Sequence, residues 1–211
     1  MTEGMTEGRT RSLFADDTLL SAKGRSLRVV CSRLQNTLNE FLEYLKKWKI
    51  SPNASKTQLI LFPHKPRASK SDQVKYLGLT LDRTLSFKDY IETIQMKSNK
   101  YIKSLYPVIN RNSKLCLKNK MLIYKQIFRP AIIYAVPIWF ISCQTRKKAL
   151  QRIQNKVLKM ILKLPPWFGT DELHRIANIE SINAMSIKII SYFRQKSLQY
   201  SIATIKSLFR Y

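Results

Sequence analysis

Acidic residues are scarce in this chain of 211 residues, which has 13 Asp and Glu against 38 Lys and Arg. None lies between Thr93 and Thr170, although 16 Lys and Arg fall there. Ion pairs within this stretch are therefore excluded, which indicates a surface that meets phosphates and makes nucleic acid the favoured partner. Charge alone leaves one alternative open, a lysine-rich or ribosome-like basic protein.

Several other signals are missing as well. The 3 cysteines and 2 histidines are far apart in the sequence, which argues against a zinc site and fits reduced cysteines in an intracellular protein. The N-terminus has no apolar signal segment, and the apolar run Pro130–Ser142 is too short to span a bilayer, so no membrane association is predicted. Only 5 glycines occur among long runs rich in Leu, Ile and Lys, which favours helix.

The order of the apolar patterns predicts an α+β fold. Two short apolar runs, Ser12–Ala15 and Thr18–Ser21, are typical of two strands joined by a tight turn. Apolar residues at three- and four-residue steps then predict a helix over Leu27–Trp48. The later runs are predicted as two strands, Gln58–Phe62 and Val74–Leu81, and four helices, Tyr90–Tyr106, Lys114–Ile127, Thr145–Leu164 and Ile182–Phe209.

A change of composition near Leu85 predicts the main domain boundary. Residues 1–82 hold 14 basic and 8 acidic residues, whereas residues 83–211 hold 24 basic and 5 acidic ones. We therefore expect three segments: a polar N-terminal tail over residues 1–11, a domain of strands and helix over residues 12–84, and an all-helical basic region over residues 85–211.

The segment Phe14-Ala15-Asp16-Asp17 is the first candidate for chemistry. Transfer of a phosphoryl group to a growing strand uses two Mg²⁺ ions about 3.5–4 Å apart, and Mg²⁺ prefers carboxylates, phosphates and water as ligands. Adjacent aspartates at a hairpin turn place two carboxylates on one rigid support. Taken alone this pair is a weak signal, because most adjacent aspartates in turns are plain turn formers.

Further motifs follow this hairpin in a specific order. Trp48–Thr57 reads W-K-I-S-P-N-A-S-K-T, and Lys75–Asp82 reads K-Y-L-G-L-T-L-D. The series continues in Ile127–Tyr134, Leu150–Lys156, Leu164–Trp167 and Leu173-His174. Together these motifs resemble the reverse transcriptases of non-LTR (LINE-type, jockey-like) retrotransposons. The resemblance implies a partial polymerase palm over residues 12–84, made of the β-hairpin, the helix and further strands. It also implies a basic thumb-like region with a C-terminal extension over residues 85–211.

The resemblance implies catalytic roles for three residues. Asp16 and Asp17 match the second pair of catalytic aspartates of the palm and would hold Mg²⁺, with Asp16 the firmer ligand. Lys56 matches a lysine near the leaving pyrophosphate, where it would act as an acid or stabilise charge. An exposed lysine before a strand is an equally good interpretation of Lys56.

Contacts with an RNA template, a DNA primer or an RNA–DNA hybrid are expected at three further places. Tyr76, Leu77 and Gly78 match the strand that grips the primer backbone, although Gly78 also fits a bulge. Two rows of lysines can each line one helix face and follow a phosphate strand: Lys97, Lys100 and Lys103, and Lys156, Lys159 and Lys163. The aromatic residues among these charges are predicted as core side chains rather than stacking platforms: Tyr101, Tyr106, Tyr124 and Trp139.

The resemblance is incomplete before the hairpin. The family has a third catalytic aspartate on an earlier palm strand, but only 15 residues precede Asp16 and none is an aspartate. The fingers are missing as well, so we expect this chain alone to be inactive as a polymerase. A second interpretation is a non-catalytic basic helical protein that binds RNA or RNA–DNA hybrid through residues 93–170. The expected location is intracellular, in the nucleus or in a cytoplasmic ribonucleoprotein.

Overall fold

The computed structural model describes residues 9–62 and 73–199 and has the mixed α+β character expected from the sequence, with two β-hairpins followed mostly by helices. These residues fall into two compact units. The first unit contains residues 9–61 and Val74–Gly78, and the second contains Phe62, Gln73 and residues 79–199.

The start of the chain combines four short strands with one long helix. In order, the elements are β1 (Arg9–Phe14), β2 (Asp17–Ala22), α1 (Leu27–Lys47), a 3₁₀ turn (Ala54–Lys56), β3 (Gln73–Tyr76) and β4 (Leu79–Asp82). β1 and β2 pair antiparallel and pack on α1, which buries Thr37, Phe41 and Leu45. These three are the buried residues of the first unit within its described part, so its core is small.

Helices make up almost all of the second unit. They are α2 (Lys88–Ile109), α3 (Leu117–Ile123), a π-helical turn (Tyr124–Phe128), α4 (Arg129–Ile133), α5 (Val136–Trp139), α6 (Gln144–Ile161), α7 (Thr170–Ala177) and α8 (Ile182–Gln199). α2 packs on α6, and α6 also contacts α7 and α8. The bulkiest fully buried side chains are Trp139, Tyr124, Phe87 and Phe128, so apolar stabilisation is concentrated in this unit.

Two of the predicted strands differ in the structure. Gln58–Phe62 forms no strand, because no described strand pairs with it, and Leu59 and Phe62 are exposed. The run Val74–Leu81 is not one strand but the hairpin β3–β4. Its turn residues Leu77 and Gly78 have φ angles of 47° and 77°, and two central residues with positive φ are what a type I′ hairpin turn requires.

The predicted helices are found with changed bounds. The helix predicted over Lys114–Ile127 begins later, at Leu117, and gives way to a π-helical turn at Tyr124. The short helices α4 and α5 were not predicted, because prolines inside an apolar run obscure a helical pattern. The end of the helix predicted over Ile182–Phe209 lies outside the described residues.

Candidate active-site hairpin and nucleic-acid interface

The tip of the first hairpin is a two-residue turn formed by Ala15 and Asp16. Phe14 pairs with Asp17 across the strands, so these two residues close the ladder directly below the turn. Ala15 has a φ angle of 52°. An alanine with this backbone conformation stores about 1–3 kcal/mol of strain, and such strain is concentrated at functional sites.

The alternation of side chains places Asp17 on the open face of the hairpin. Arg9 and Arg11 point towards α1. Because side chains alternate along a strand, Phe14 lies on the opposite face, and so does its cross-strand partner Asp17. Phe14 shares this open face with Asp17 and is 63% exposed. Both aspartates are exposed, and among the described residues neither side chain forms a hydrogen bond or an ion pair.

Two arginines attach the hairpin to α1. Arg9 Nη1 lies 3.2 Å from Glu40 Oε1 and Arg11 Nη2 lies 3.9 Å from Glu40 Oε2. The Arg11 guanidinium also lies 5.4 Å from the centre of the Phe41 ring. The nearest cations of the hairpin are therefore directed at Glu40, and the carboxylates at the tip are left open to solvent.

A metal site with three or more protein ligands is not formed within residues 9–62 and 73–199, since no cluster of three His, Cys, Asp or Glu side chains occurs there. Asp16 and Asp17 nevertheless supply two neighbouring carboxylates, which are the type of ligand that Mg²⁺ prefers.

Lys56 ends a 3₁₀ turn that Asn53 organises. The Asn53 side-chain oxygen accepts hydrogen bonds from the backbone N–H groups of Ser55 at 3.1 Å and Lys56 at 3.3 Å. Its backbone oxygen accepts from the Thr57 hydroxyl at 3.0 Å. The Lys56 side chain is exposed, and no hydrogen bond or ion pair joins it to either aspartate in the described part of the chain. Asn53 was not singled out from the sequence, although an asparagine before Ser-Lys-Thr is a common turn signal.

The three residues expected to grip the primer lie at the β3–β4 hairpin. Tyr76 ends β3, and Leu77 and Gly78 form its turn. Within the first unit, the N–H of the preceding Lys75 donates to Gln58 Oε1 at 3.1 Å. The motif K-Y-L-G therefore comprises the end of β3, at Lys75 and Tyr76, and the turn formed by Leu77 and Gly78.

Asp82, at the end of the same motif, organises the start of α2. Its carboxylate accepts hydrogen bonds from the N–H groups of Ser86 at 3.0 Å and Phe87 at 2.9 Å and from the Thr84 hydroxyl at 2.5 Å. Arg146 of α6 donates to the Ser86 carbonyl at 2.9 Å. The sequence analysis does not predict these hydrogen bonds, since it includes Asp82 only as the last residue of the motif.

The two lysine rows have different geometries. Lys97, Lys100 and Lys103 are all exposed on α2, opposite the face that buries Ile91, Ile94 and Ile102. In the second row Lys156 is exposed on α6, whereas Lys159 is half-buried and donates to the Pro166 carbonyl at 2.6 Å. Lys163 lies beyond the end of α6 with a φ angle of 60°, so the expected common helix face does not include it.

Some cations of the acid-free stretch act within the fold. Lys120 is buried and its ammonium donates to the carbonyls of Asn110 at 2.8 Å and Ser113 at 3.2 Å. Arg111 donates to the Lys163 carbonyl at 2.9 Å. None of the Lys and Arg between Thr93 and Thr170 pairs with a carboxylate among the described residues. Their charge is therefore uncompensated.

The aromatic residues near these lysines are mostly core residues. Tyr124 and Trp139 are buried, as predicted, and Tyr101 is half-buried against the core. Tyr106 is exposed, so the prediction of a core position for it is wrong. Trp139 is fixed by a hydrogen bond from its Nε1 to the Tyr134 carbonyl at 2.8 Å. Within the described residues no helix has the length and apolar character needed to cross a membrane.

Residues 2–81 match the family described as reverse transcriptase (RNA-dependent DNA polymerase). The match covers the Asp16-Asp17 hairpin, α1, the Asn53 turn and β3. Over most of its length the chain is homologous to the reverse transcriptases of jockey and X-element non-LTR retrotransposons, and it corresponds to part of such an enzyme.

Three relatives illustrate this homology. The chain is 30% identical to the probable RNA-directed DNA polymerase from transposon X-element of Drosophila melanogaster, over 80% of this chain and 20% of that protein. It is 29% identical to the RNA-directed DNA polymerase from mobile element jockey of Drosophila funebris, over 81% and 20%. It is 25% identical to the probable RNA-directed DNA polymerase from transposon BS of Drosophila melanogaster, over 80% and 20%. The chain thus spans about a fifth of the length of these relatives. No solved structure matches it.

Proposed function

We propose that Asp16 and Asp17 are catalytic carboxylates of an RNA-directed DNA polymerase of which this chain forms a part. The observation that carries this proposal is the hairpin tip, where two adjacent aspartates stand exposed and unpaired on a strained turn. The tip lies within the residues that match the reverse transcriptase family. In this assignment residues 12–84 are part of the palm and residues 85–211 are a thumb-like region with its extension.

Mg²⁺ fits the two carboxylates, which are hard oxygen ligands on a rigid support. When bound, Mg²⁺ supplies charge neutralisation and activation of the attacking 3′-hydroxyl. Asp16 and Asp17 would hold the cation at the tip, together with a third carboxylate of the polymerase. Lys56 donates a proton to the departing pyrophosphate or stabilises its charge.

The partners that follow are an RNA template, a DNA primer and the hybrid that they form. The Tyr76-Leu77-Gly78 turn supports the primer backbone, and the exposed lysines of α2, together with Lys156, follow a phosphate strand. Such a protein acts in the nucleus or in a cytoplasmic ribonucleoprotein.

Primer extension on a primed RNA template tests the catalytic assignment. We expect no DNA synthesis by the 211-residue chain, because two carboxylates hold the metal pair poorly without the third. A chimaera that carries residues 12–185 in the matched segment of the X-element polymerase should extend the primer, and Asp16→Asn should lower this activity by at least about 100-fold. The exposed Asp171 of α7 provides the control variant Asp171→Asn, which should keep full activity.

Two outcomes would contradict parts of this account. One is DNA synthesis by the 211-residue chain that is lost in Asp16→Ala, which would keep Asp16 as a catalytic residue but show that no third carboxylate is required. The other is chimaera activity that survives Asp16→Asn, which would remove this aspartate from the catalytic site.

A second candidate function is non-catalytic binding of RNA or RNA–DNA hybrid by the helical unit. The observation that favours it is the uncompensated charge of the stretch between Thr93 and Thr170. If this is the whole function, Asp16→Asn and Asp17→Asn change neither binding nor the activity of the chimaera. Under the catalytic proposal the same variants keep binding but lose activity.

A further inference from the structure

The loop between α6 and α7 carries an aromatic side chain in an unusual position. Trp167 is 84% exposed, which makes it the most exposed large apolar side chain among the described residues. The chain has 3 tryptophans, and Trp139 by contrast is completely buried. Single exposed apolar residues are common on protein surfaces, so the meaning of Trp167 depends on how the loop holds it and what surrounds it.

The loop that presents Trp167 is fixed at several points. Leu164 N–H donates to the Lys159 carbonyl at 2.9 Å as the chain leaves α6, and Phe168 N–H donates to the Pro165 carbonyl at 3.1 Å. The Lys159 ammonium donates to the Pro166 carbonyl at 2.6 Å. Pro165 and Pro166 restrict the backbone further. The backbone that carries the indole is therefore held in place before binding, which lowers the entropic cost of ordering the loop when a ligand binds.

The residue after Trp167 has the opposite environment. Phe168 packs against the core of the helical unit, whereas Trp167 faces solvent. Phe168 thus anchors the loop, and Trp167 is not required to fill the core. Truncation of the Trp167 side chain leaves no cavity in the described structure.

Cations surround the base of this loop. Arg111 donates to the Lys163 carbonyl at 2.9 Å, and Lys159 reaches Pro166, so three cationic side chains meet the loop backbone or belong to it. No acidic residue occurs from Thr93 to Thr170. The acids that follow are Asp171 and Glu172, and Glu172 is paired with Arg175 in the same helix. The surroundings of Trp167 therefore favour binding of a polyanion over binding of a basic protein surface.

We propose that Trp167 is a stacking platform for an unpaired base of single-stranded nucleic acid, whose flanking phosphates lie over the cations of the α6–α7 loop. This inference rests on the proposed binding of nucleic acid by the helical unit and specifies which form of nucleic acid this loop takes. An indole on a projecting turn offers a flat face to another ring. Bases offer such a face when they are unpaired, whereas in a duplex both faces of each base are covered by neighbours.

The test is fluorescence anisotropy of labelled oligonucleotides bound by the full 211-residue chain, with single-stranded RNA, single-stranded DNA and an RNA–DNA duplex of equal length as probes. We expect Trp167→Ala to weaken single-strand binding by about 5- to 100-fold and duplex binding by less than about twofold. Trp167→Phe keeps an aromatic face and should recover most of the loss. Trp48→Ala is the matched control, because Trp48 is exposed but lies in the first unit.

The outcomes separate this inference from the proposed function. If the wild-type chain binds all probes and Trp167→Ala binds single strands equally well, the stacking site is wrong and nucleic-acid binding stands. Equal losses for single strands and duplex would also overturn it, because the indole would then contact a backbone or groove. If the wild-type chain binds none of the probes, both proposals fall. The RNA and DNA single strands, compared with each other, show which of the two sources supplies the base.

Discussion

Asp82 stabilises the local structure before α2 through hydrogen bonds to its carboxylate. Between β4 and α2, this carboxylate accepts hydrogen bonds from the Thr84 hydroxyl and from the N–H groups of Ser86 and Phe87. Partial burial opposes ionisation of the carboxyl, but these hydrogen bonds outweigh it and hold the pKa of Asp82 below its usual value. A group with a depressed pKa stabilises the fold above its unfolded pKa, and this contribution is lost as the pH falls through the folded pKa.

Asp82→Asn should therefore destabilise the protein most near neutral pH. The amide can replace only part of the carboxylate's acceptor capacity, so we expect the free energy of unfolding to fall by about 1–3 kcal/mol at pH 7. The difference from wild type should begin to shrink below about pH 4, near the pKa of the unfolded state, and continue to shrink as the pH falls through the lower folded pKa. Urea unfolding of both proteins at about pH 7 and pH 3 measures this.

Glu92→Gln provides the control for Asp82→Asn, because Glu92 is an exposed carboxylate on α2. It should change stability by less than about 0.5 kcal/mol at either pH. A loss for Asp82→Asn that is equal at both pH values would show that the charge of Asp82 contributes nothing.

At the scale of residues, the sequence predicts structure best where a motif forms a local turn. The aspartate pair was expected at a tight turn between two strands, and the structure forms that hairpin. The exposure of Trp167 could not be predicted, because it depends on Phe168 reaching a core made by distant helices. The roles of Asn53 and Asp82 have weak sequence signals, namely nearby Ser and Thr, which are easily read as ordinary loop composition.

Helices α6, α7 and α8 are joined by a buried polar network centred on Gln154. This side chain is fully buried, and its Nε2 donates to the Tyr124 hydroxyl at 2.8 Å and the Glu180 carbonyl at 2.9 Å. Its Oε1 accepts from the Ile182 N–H at 3.1 Å, at the start of α8. Nearby, Gln151 Nε2 lies 2.9 Å from His174 Nε2, which links α6 to α7. Every polar atom of Gln154 thus has a partner.

Gln154→Leu should destabilise the helical unit by about 2–4 kcal/mol, because it leaves the Tyr124 hydroxyl and the Glu180 carbonyl without their partner inside the core. The shift of the urea midpoint measures this loss. Gln144→Leu changes an exposed glutamine at the start of the same helix and should cost less than about 0.5 kcal/mol. Similar losses in the two variants would mean that the network does not contribute to stability.

At the scale of elements, periodicity predicted the long helices well and the strands poorly. α1 and α6 have strong apolar periodicity, so their positions were predicted within a few residues. A strand depends on its partner, and Gln58–Phe62 has none in the described structure. The apolar pattern predicts β3 and β4 as one strand, because Leu77 at the turn is an apolar residue and its side chain does not reveal its left-handed backbone.

For the whole molecule, charge is the dominant property. The chain has a net charge of +25, and the stretch from Thr93 to Thr170 has no acids to balance its 16 Lys and Arg. The structure adds that some of these cations serve the fold, such as buried Lys120, while Lys97, Lys100 and Lys103 remain on an exposed helix face. Composition predicted the basic character, but only the packing of the helices distinguishes structural cations from exposed ones.

Phosphate contact by the helical unit is the claim on which the polymerase function and the binding function both depend. The measurement that tests it most directly is the dissociation constant for an RNA–DNA hybrid between about 50 and 200 mM salt. With ~5 phosphates neutralised, affinity should fall with a log–log slope of about −3.5 to −4.5.

The triple variant Lys97→Gln, Lys100→Gln and Lys103→Gln should reduce the size of this slope by about 2 to 3. A triple variant with the same change of net charge, Lys23→Gln, Lys46→Gln and Lys47→Gln in the first unit, should reduce it by less than about 1. A slope near zero for the wild-type chain, or equal effects of the two triple variants, would contradict phosphate binding along α2.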